Sequence, residues 1–388
     1  MQYLTRQLKV GKSARLDELA HEAGAVYTKT LVTFWRVVRH SDHWLSRYAM
    51  QRLIRSGNLH SQTTQGIVET FYEALASWRS LRKIDPDAKP PRRRNWYHAV
   101  PFKAAAIRLS DGVLKLSTGS GNEPILLPWK YGLPKFCEIS FNGREYVLNA
   151  TYALEDVEAS GGNGVAGVDL GEIHLAVVDT GGRVLLANGR ALRSKRRYQN
   201  KAKGHFQKMM DKCEKQSRRW RKLNKAKKRA LGKLDNQIRD ILHKQTTSIV
   251  CAMKEDGVQT VGIGDVRDLL KNVDYGAKAN QKIHQMPSGK ARQYITYKAR
   301  RAGMAVALVG EAHSSQTCPK CGSRNKTSTR NYRCRACGLE YHRDGVGAVN
   351  IRSKTMYREY VPVVGDMTPP VGIRYYANSS CKSAAKAA

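Results

Sequence analysis

The apolar positions of this chain change period several times, and those changes divide it. Residues 1–10 alternate weakly (Tyr3, Leu4, Leu8, Val10), the pattern of one edge strand. From Ser13, a suitable N-cap, the period lengthens. Leu16, Leu19, Ala20, Ala23, Val26, Tyr27, Leu31, Phe34, Trp35 and Val38 recur at three- and four-residue spacing, which predicts an amphipathic helix. A second helix is predicted over Thr63–Leu81, with Ile67, Phe71, Leu75 and Trp78 on one face. Asp85-Pro86-Asp87 and Lys89-Pro90-Pro91 end that pattern. From Ala104 to Tyr152 short strands are expected at Ala104–Leu109, Val113–Leu116, Glu123–Leu127, Phe136–Phe141 and Glu145–Thr151, forming a small β-barrel or sandwich. The glycine-rich run Ser160–Gly164 then marks the main boundary.

The second half opens with a buried strand that ends in an acid, Val165-Ala166-Gly167-Val168-Asp169, followed by a second strand at Leu175–Asp179. A helical seam runs through Phe206, Met210, Trp220, Leu231, Leu234, Ile238 and Ile241, and on through Ile249, Val250 and Met253. It predicts a long helix or a helical hairpin. Strand 257–266, helix 292–302 and strand 304–310 describe a βαβ unit, which brings the ends of both strands to one edge of a parallel sheet. Between them, residues 272–290 read as a mobile loop.

Charge narrows the function. Sixty-eight Lys and Arg against 32 Asp and Glu leave a formal charge of +36, and the excess calls for a polyanionic partner. No apolar run approaches a spanning helix, and Met1–Arg6 does not start a secretory leader, so a soluble, cytoplasmic protein without membrane contact is expected. Residues 191–233 carry eighteen Lys or Arg against Asp211 and Glu214. That one-signed surface, with Arg218, Arg219 and Arg221 within it, fits a phosphate backbone. Arg92, Arg93 and Arg94 lie beside Trp96 and Tyr97, and basic residues interleaved with aromatics suit RNA or single strands.

Cysteine spacing carries the most specific chemistry. Cys318-Pro319-Lys320-Cys321 and Cys334-Arg335-Ala336-Cys337 are two CxxC pairs across a short basic loop. Four thiolates suit one structural Zn²⁺ and leave no open position for a substrate. Lys320, Arg324, Lys326, Arg330, Arg333 and Arg335 would place nucleic-acid contacts around it. Cys137, Cys213, Cys251 and Cys381 are scattered and expected to be reduced thiols. Glu311 and Asp344 flank the knot.

The ordered set GVDLG (167–171), a basic helical insertion, GIGDV (262–266), HSSQTCPKCG (313–322), CRACG (334–338) and HRDGVGAVNI (342–351) resembles the TnpB/OrfB proteins of bacterial insertion sequences, relatives of compact type V CRISPR nucleases. The resemblance is dense over 165–352 and only architectural over 1–155. It implies a multidomain α/β and α+β chain in which an RNase H-like (RuvC) nuclease domain with an inserted zinc ribbon follows a helical lobe and a small β-barrel. The implied segments are a first barrel (wedge) strand 1–12, a helical recognition lobe 13–90, the barrel 91–159 and a RuvC-like region 160–311 with a basic helical insertion 191–254. The zinc ribbon 312–340, a last RuvC segment 341–352 and an unstructured tail 353–388 complete the chain. The implied partners are a guide RNA and double-stranded target DNA, with the protein at the nucleoid when in use. The implied activity is Mg²⁺-dependent phosphodiester cleavage.

Carried over by position, Asp169 matches the first RuvC acid and Asp344 the third, while Cys318, Cys321, Cys334 and Cys337 match the zinc ligands. The middle acid does not carry over. Most relatives have a Glu where this chain has Gly264, followed by Asp265. Three readings stay open. Asp265 serves, although strand alternation points it away. The site is inactive, leaving an RNA-guided DNA-binding regulator. Or Glu311, at the end of the neighbouring parallel strand, replaces the missing acid, which is the preferred reading. In that reading Asp169, Glu311 and Asp344 would hold two Mg²⁺ ions. A zinc-ribbon nucleic-acid-binding protein without catalysis explains the charge but not Asp169 and Asp344.

Overall fold

The computed structural model describes residues 2–94, 97–154, 159, 161–265, 276, 280–281, 285–327, 329–364, 367–373 and 375. The chain divides into two compact units, Met1–Asp156 and Val157–Ala388.

In the first unit, strand β1 (Gln2–Gly11) is followed by helices α1 (Ala14–Ser41), α2 (Arg47–Leu53) and α3 (Ser61–Arg82). Ser13 caps α1, its side chain accepting from the Leu16 amide. Strands β2 (Val100–Lys103), β3 (Ile107–Ser110), β4 (Val113–Leu116), β5 (Ile125–Pro128), β6 (Phe136–Phe141) and β7 (Tyr146–Leu154) follow. They make a four-stranded sheet of order β1-β7-β6-β2 and a three-stranded sheet β3-β4-β5. β1 runs antiparallel to β7 and so joins the two ends of the unit. Helical Phe34, Ile67 and Phe71 share one core with Phe102, Leu116, Ile139 and Leu148 of the sheets. Tyr146 Oη donates to Asp17 Oδ1 at 2.7 Å, tying α1 to β7.

The strand expected at Ala104–Leu109 is corrected here. Ala104–Ala106 is a 3₁₀ turn, and the strand before it, β2, escapes the pattern because it contains Pro101. Proline is tolerated there since β2 lies at a sheet edge. The Arg92–Arg94 stretch is pinned to α1 by mutual bonds between Thr28 Oγ1 and the Arg94 backbone, 3.1 and 3.2 Å. Trp96 lies outside the described residues.

The second unit is a six-stranded mixed sheet between two helical layers. Its strands are β8 (Gly164–Asp169), β9 (His174–Asp179), β10 (Val184–Asn188), β11 (Val258–Asp265), β12 (Ala305–Gly310) and β15 (Val371–Ile373), in the order β12-β11-β8-β9-β10-β15. β8, β9 and β10 are joined antiparallel, while β11 runs parallel to both β8 and β12. The basic segment is a hairpin of α4 (Arg190–Asp211) and α5 (Arg218–Glu255). Helix α6 (Ser288–Arg301) packs with α5 on one face of the sheet over Ala166, Val168, Val261 and Ile263. Lys298 Nζ lies half-buried between these helices and donates to the His243 carbonyl, Thr246 Oγ1 and Thr247 Oγ1. Burial lowers its pKa to about 8.

Helix α7 (Arg343–Tyr357) covers the opposite face. It approaches so closely that a Cβ on Gly167 would run into the Ala348 carbonyl and the Arg352 amide. Arg352 Nε donates to the buried Asp179 at 2.6 Å, fixing α7 to the end of β9. Strands β13 (Asn331–Arg333) and β14 (Glu340–His342) form a separate antiparallel hairpin just before α7.

Three further expectations change. The tail is not unstructured from residue 353: α7 continues to Tyr357, and β15 pairs in parallel with Leu185–Ala187 of β10. A three-residue strand is too short to show alternation, and its pairing partner is remote in sequence. Helix α6 begins at Ser288, inside the stretch read as a loop, while 266–275, 277–279 and 282–284 lie outside the described residues, as do 376–388. Cys251 is disulfide-bonded, whereas Cys137 and Cys213 are free, because spacing along the chain does not reveal which thiols meet.

Candidate active site and cysteine centre

β8 and β11 are paired through Val168 and Ile263, and Asp169 and Gly264 follow directly on that pair. Gly264 is itself paired with Val309 of β12, and Glu311 lies two residues beyond Val309. Side chains two apart on a strand share a face, so Asp169, position 264 and Glu311 all point toward α7. Gly347 of α7 meets the Asp169 carboxylate: a Cβ on it would stand 2.6 Å from Asp169 Oδ2. Asp344, one turn earlier, is in the first turn of the same helix. The three acids of the preferred reading are thus brought to one end of one sheet face.

Their electrostatics agree with this proximity. Burial first, and then the charges of Glu311 and Asp344, hold the Asp169 carboxyl well above the usual range. Burial, with the neighbouring Asp265 charge, raises Glu311 to about 7. Glu311 Oε1 is buried and has no hydrogen-bond partner among the described residues. Its backbone is nevertheless fixed on both sides, because Lys354 Nζ donates to the Gly310 carbonyl and Tyr360 Oη to that of Ala312, each at 2.8 Å. Asp265 is paired instead with Gly310 and turns to the other face, where Arg292 of α6 meets it at 3.0 Å.

Asp344 is held by Arg330 at 3.0 Å, a contact not foreseen from sequence, where Arg330 is read as facing nucleic acid. Two histidines also adjoin it. His174 and His342 each offer a ring nitrogen within 4.8 Å of the other and of an Asp344 oxygen. The rings stand 5.2 Å apart, edge to face. Burial lowers the pKa of both. The sequence hint was slight: His342 precedes Asp344 by two residues, and His174 lies across the β8–β9 turn from Asp169.

The four cysteines converge. Cys318 and Cys337 sulfurs are 3.6 Å apart, Cys321 and Cys334 sulfurs 3.5 Å, and all four lie within 4.8 Å of one another. Each CxxC pair turns on a glycine in the left-handed region, Gly322 (φ 77°) and Gly338 (φ 73°). Burial opposes ionisation of Cys334, but hydrogen bonds from Ser323 and the amides of Ala336 and Cys337 outweigh it and bring its pKa to about 5. Such a set is able to hold a zinc ion, and Cys318 and Cys334 pack in one core with Tyr332 and with Val346 of α7.

Arg218, Arg219 and Arg221 are exposed at the start of α5, and Arg92, Arg93 and Arg94 are exposed in the first unit. Among the described residues, no helix is long and apolar enough to cross a membrane.

Two family models match the chain: "Probable transposase" over residues 150–270 and "Cas12f1-like, TNB domain" over 289–351. A TnpB-like protein of Methanocaldococcus jannaschii is 25% identical over 154 residues, 39% of this chain and 55% of that protein. InsQ of Escherichia coli strain K12, named as a candidate RNA-guided DNA endonuclease, is 25% identical over 222 residues, 54% of this chain and 53% of InsQ. The chain therefore spans about half the length of these two relatives. Among solved structures, Cas12f1 in complex with its single guide RNA and target DNA matches with a TM-score of 0.61 at 12% identity, covering 87% of this chain and 81% of that one. At that identity the likeness is one of fold.

Proposed function

We propose that this chain, which resembles the TnpB/OrfB proteins, is an RNA-guided DNA endonuclease of a transposable element. Its second unit would be an RNase H-like (RuvC) nuclease domain with an inserted zinc ribbon. The sheets and helices of the first unit would form the wedge barrel and recognition lobe. Cys318, Cys321, Cys334 and Cys337 would hold a structural Zn²⁺.

The observation that carries the reading is the convergence of Asp169, Glu311 and Asp344 on the α7 face, with the Glu311 carboxylate occupying the space that glycine leaves at position 264. These oxygen donors fit hard divalent cations. Glu311 Oε1 has no hydrogen-bond partner among the described residues, and Asp169 is under mutual repulsion with both other acids, a cost that a bound cation removes. Asp169, Glu311 and Asp344 would hold Mg²⁺, which when bound supplies an activated water and charge stabilisation at the leaving oxygen.

The protein's own contribution is positional. Gly347 lets Asp169 sit against α7, the Asp179–Arg352 pair fixes that helix, and Lys354 and Tyr360 hold the backbone around Glu311. Base pairing to the guide would supply sequence, and the exposed arginines of α5 and of 92–94 would supply backbone contacts.

The test is cleavage of a matched DNA duplex by protein purified with its co-expressed RNA, in Mg²⁺. The parent and Asp265→Ala should cleave, while Asp169→Ala, Glu311→Ala and Asp344→Ala should not. Binding of the duplex without cleavage by the parent would leave a DNA-binding regulator. Absence of bound RNA would leave a zinc-ribbon nucleic-acid-binding protein.

A further inference from the structure

We propose that His174, His342 and Asp344 form a second metal site, distinct in chemistry from the carboxylate cluster and suited to a borderline divalent transition ion such as Zn²⁺ or Co²⁺. It goes beyond the nuclease reading, since it is a statement about ion binding whether or not the chain cleaves DNA.

The three ligands come from three separate elements: the first residue of β9, the last residue of β14 and the first turn of α7. The fold nonetheless brings one donor atom of each within 4.8 Å of the others. Nδ1 of His174 and Nδ1 of His342 are both buried, and neither has a hydrogen-bond partner among the described residues. A pair of edge-to-face imidazoles with unanswered ring nitrogens beside a carboxylate is unusual for a merely structural cluster, because buried polar atoms are ordinarily paired.

The donor set decides the class of ion. Two imidazole nitrogens and one carboxylate oxygen suit zinc, cobalt and their neighbours, and three protein ligands leave a coordination position open. Mg²⁺ favours oxygen ligands and would go instead to the acids. Arg330 at 3.0 Å and Arg343 at 3.8 Å hold the Asp344 carboxylate, so an incoming ion competes with both guanidiniums. Asp344 is also common to the two clusters, and an ion on the histidines draws it away from Asp169 and Glu311.

Equilibrium dialysis of the full-length protein against Co²⁺ near neutral pH, with metal counted per chain, tests this. Wild type should retain one more ion than His174→Ala/His342→Ala, and each single substitution should weaken that ion at least tenfold. The additional ion should lack the intense thiolate-to-cobalt absorption of the cysteine centre. It should resist a hundredfold excess of Mg²⁺. Asn substitutions at both histidines, checked by circular dichroism, provide a second set in case the alanine pair does not fold. A folded member of either set that keeps the ion overturns the proposal, as does ready displacement by Mg²⁺. Loss of cleavage with this ion still bound would count against the nuclease reading alone.

Discussion

The carboxylate of Glu311 fills the space into which a side chain at position 264 would project: a Cβ on Gly264 would stand 2.6 Å from Glu311 Oε2 and 2.9 Å from Ile351 Cδ1. The two positions are alternatives for one volume. Gly264→Ala should therefore lower stability by about 1–3 kcal/mol through overpacking and reduce cleavage by displacing Glu311. Moving the acid back, as Gly264→Glu/Glu311→Ala, should recover measurable cleavage relative to Glu311→Ala alone. Full activity of Glu311→Ala in the same duplex assay would remove Glu311 from the site.

The raised pKa of Glu311 makes the metal-free protein sensitive to pH. A carboxyl whose folded pKa, about 7, exceeds its ordinary 4.5 holds its proton more tightly in the folded state. Stability from this group is then lost as pH rises from about 4.5 through 7, by at most about 3 kcal/mol. Asp169 is shifted in the same direction and adds to the slope. Thermal melting in chelator should show the midpoint falling between pH 5 and pH 8, with a shallower fall in Glu311→Gln. Parallel curves for the two proteins would contradict the assignment.

The cysteine core and α7 are packed together through Val346, so the centre supports the helix that carries Asp344. Cys321→Ser, or removal of zinc with a strong chelator, should raise hydrogen exchange across 317–350 and abolish cleavage although all three acids are intact. Exchange confined to the cysteine hairpin, with α7 still protected, would show that the helix stands without it.

Asp179 and Arg352 are a buried pair, their side chains 5% and 13% exposed. Asp179 Oδ1 also accepts from the Gly181 amide at 3.0 Å, so one carboxylate fixes both a turn and a helix. Asp179→Ala should cost about 3–5 kcal/mol, because it leaves a guanidinium buried without its partner. The double variant Asp179→Leu/Arg352→Met should cost less. Denaturant unfolding of wild type, Asp179→Leu, Arg352→Met and the double variant measures the coupling, and additive losses would mean that the pair does not fix α7.

Local pattern carried much of this chain. The Ser13 cap, the helices around Leu16–Phe34 and Ile67–Leu75, the basic α4–α5 seam and the CxxC spacing are visible in sequence because each depends on residues a few positions apart. Strand alternation likewise turns Asp265 away from Asp169. Tertiary structure alone decided the rest. Glu311 and Gly264 share one volume, His174 meets His342 and Asp344 across most of the second unit, and Val371–Ile373 closes a sheet begun at Gly164. Those relationships depend on register between strands and on how closely α7 descends onto β8. Such distances are set by packing between segments remote along the chain, for which periodicity holds no record.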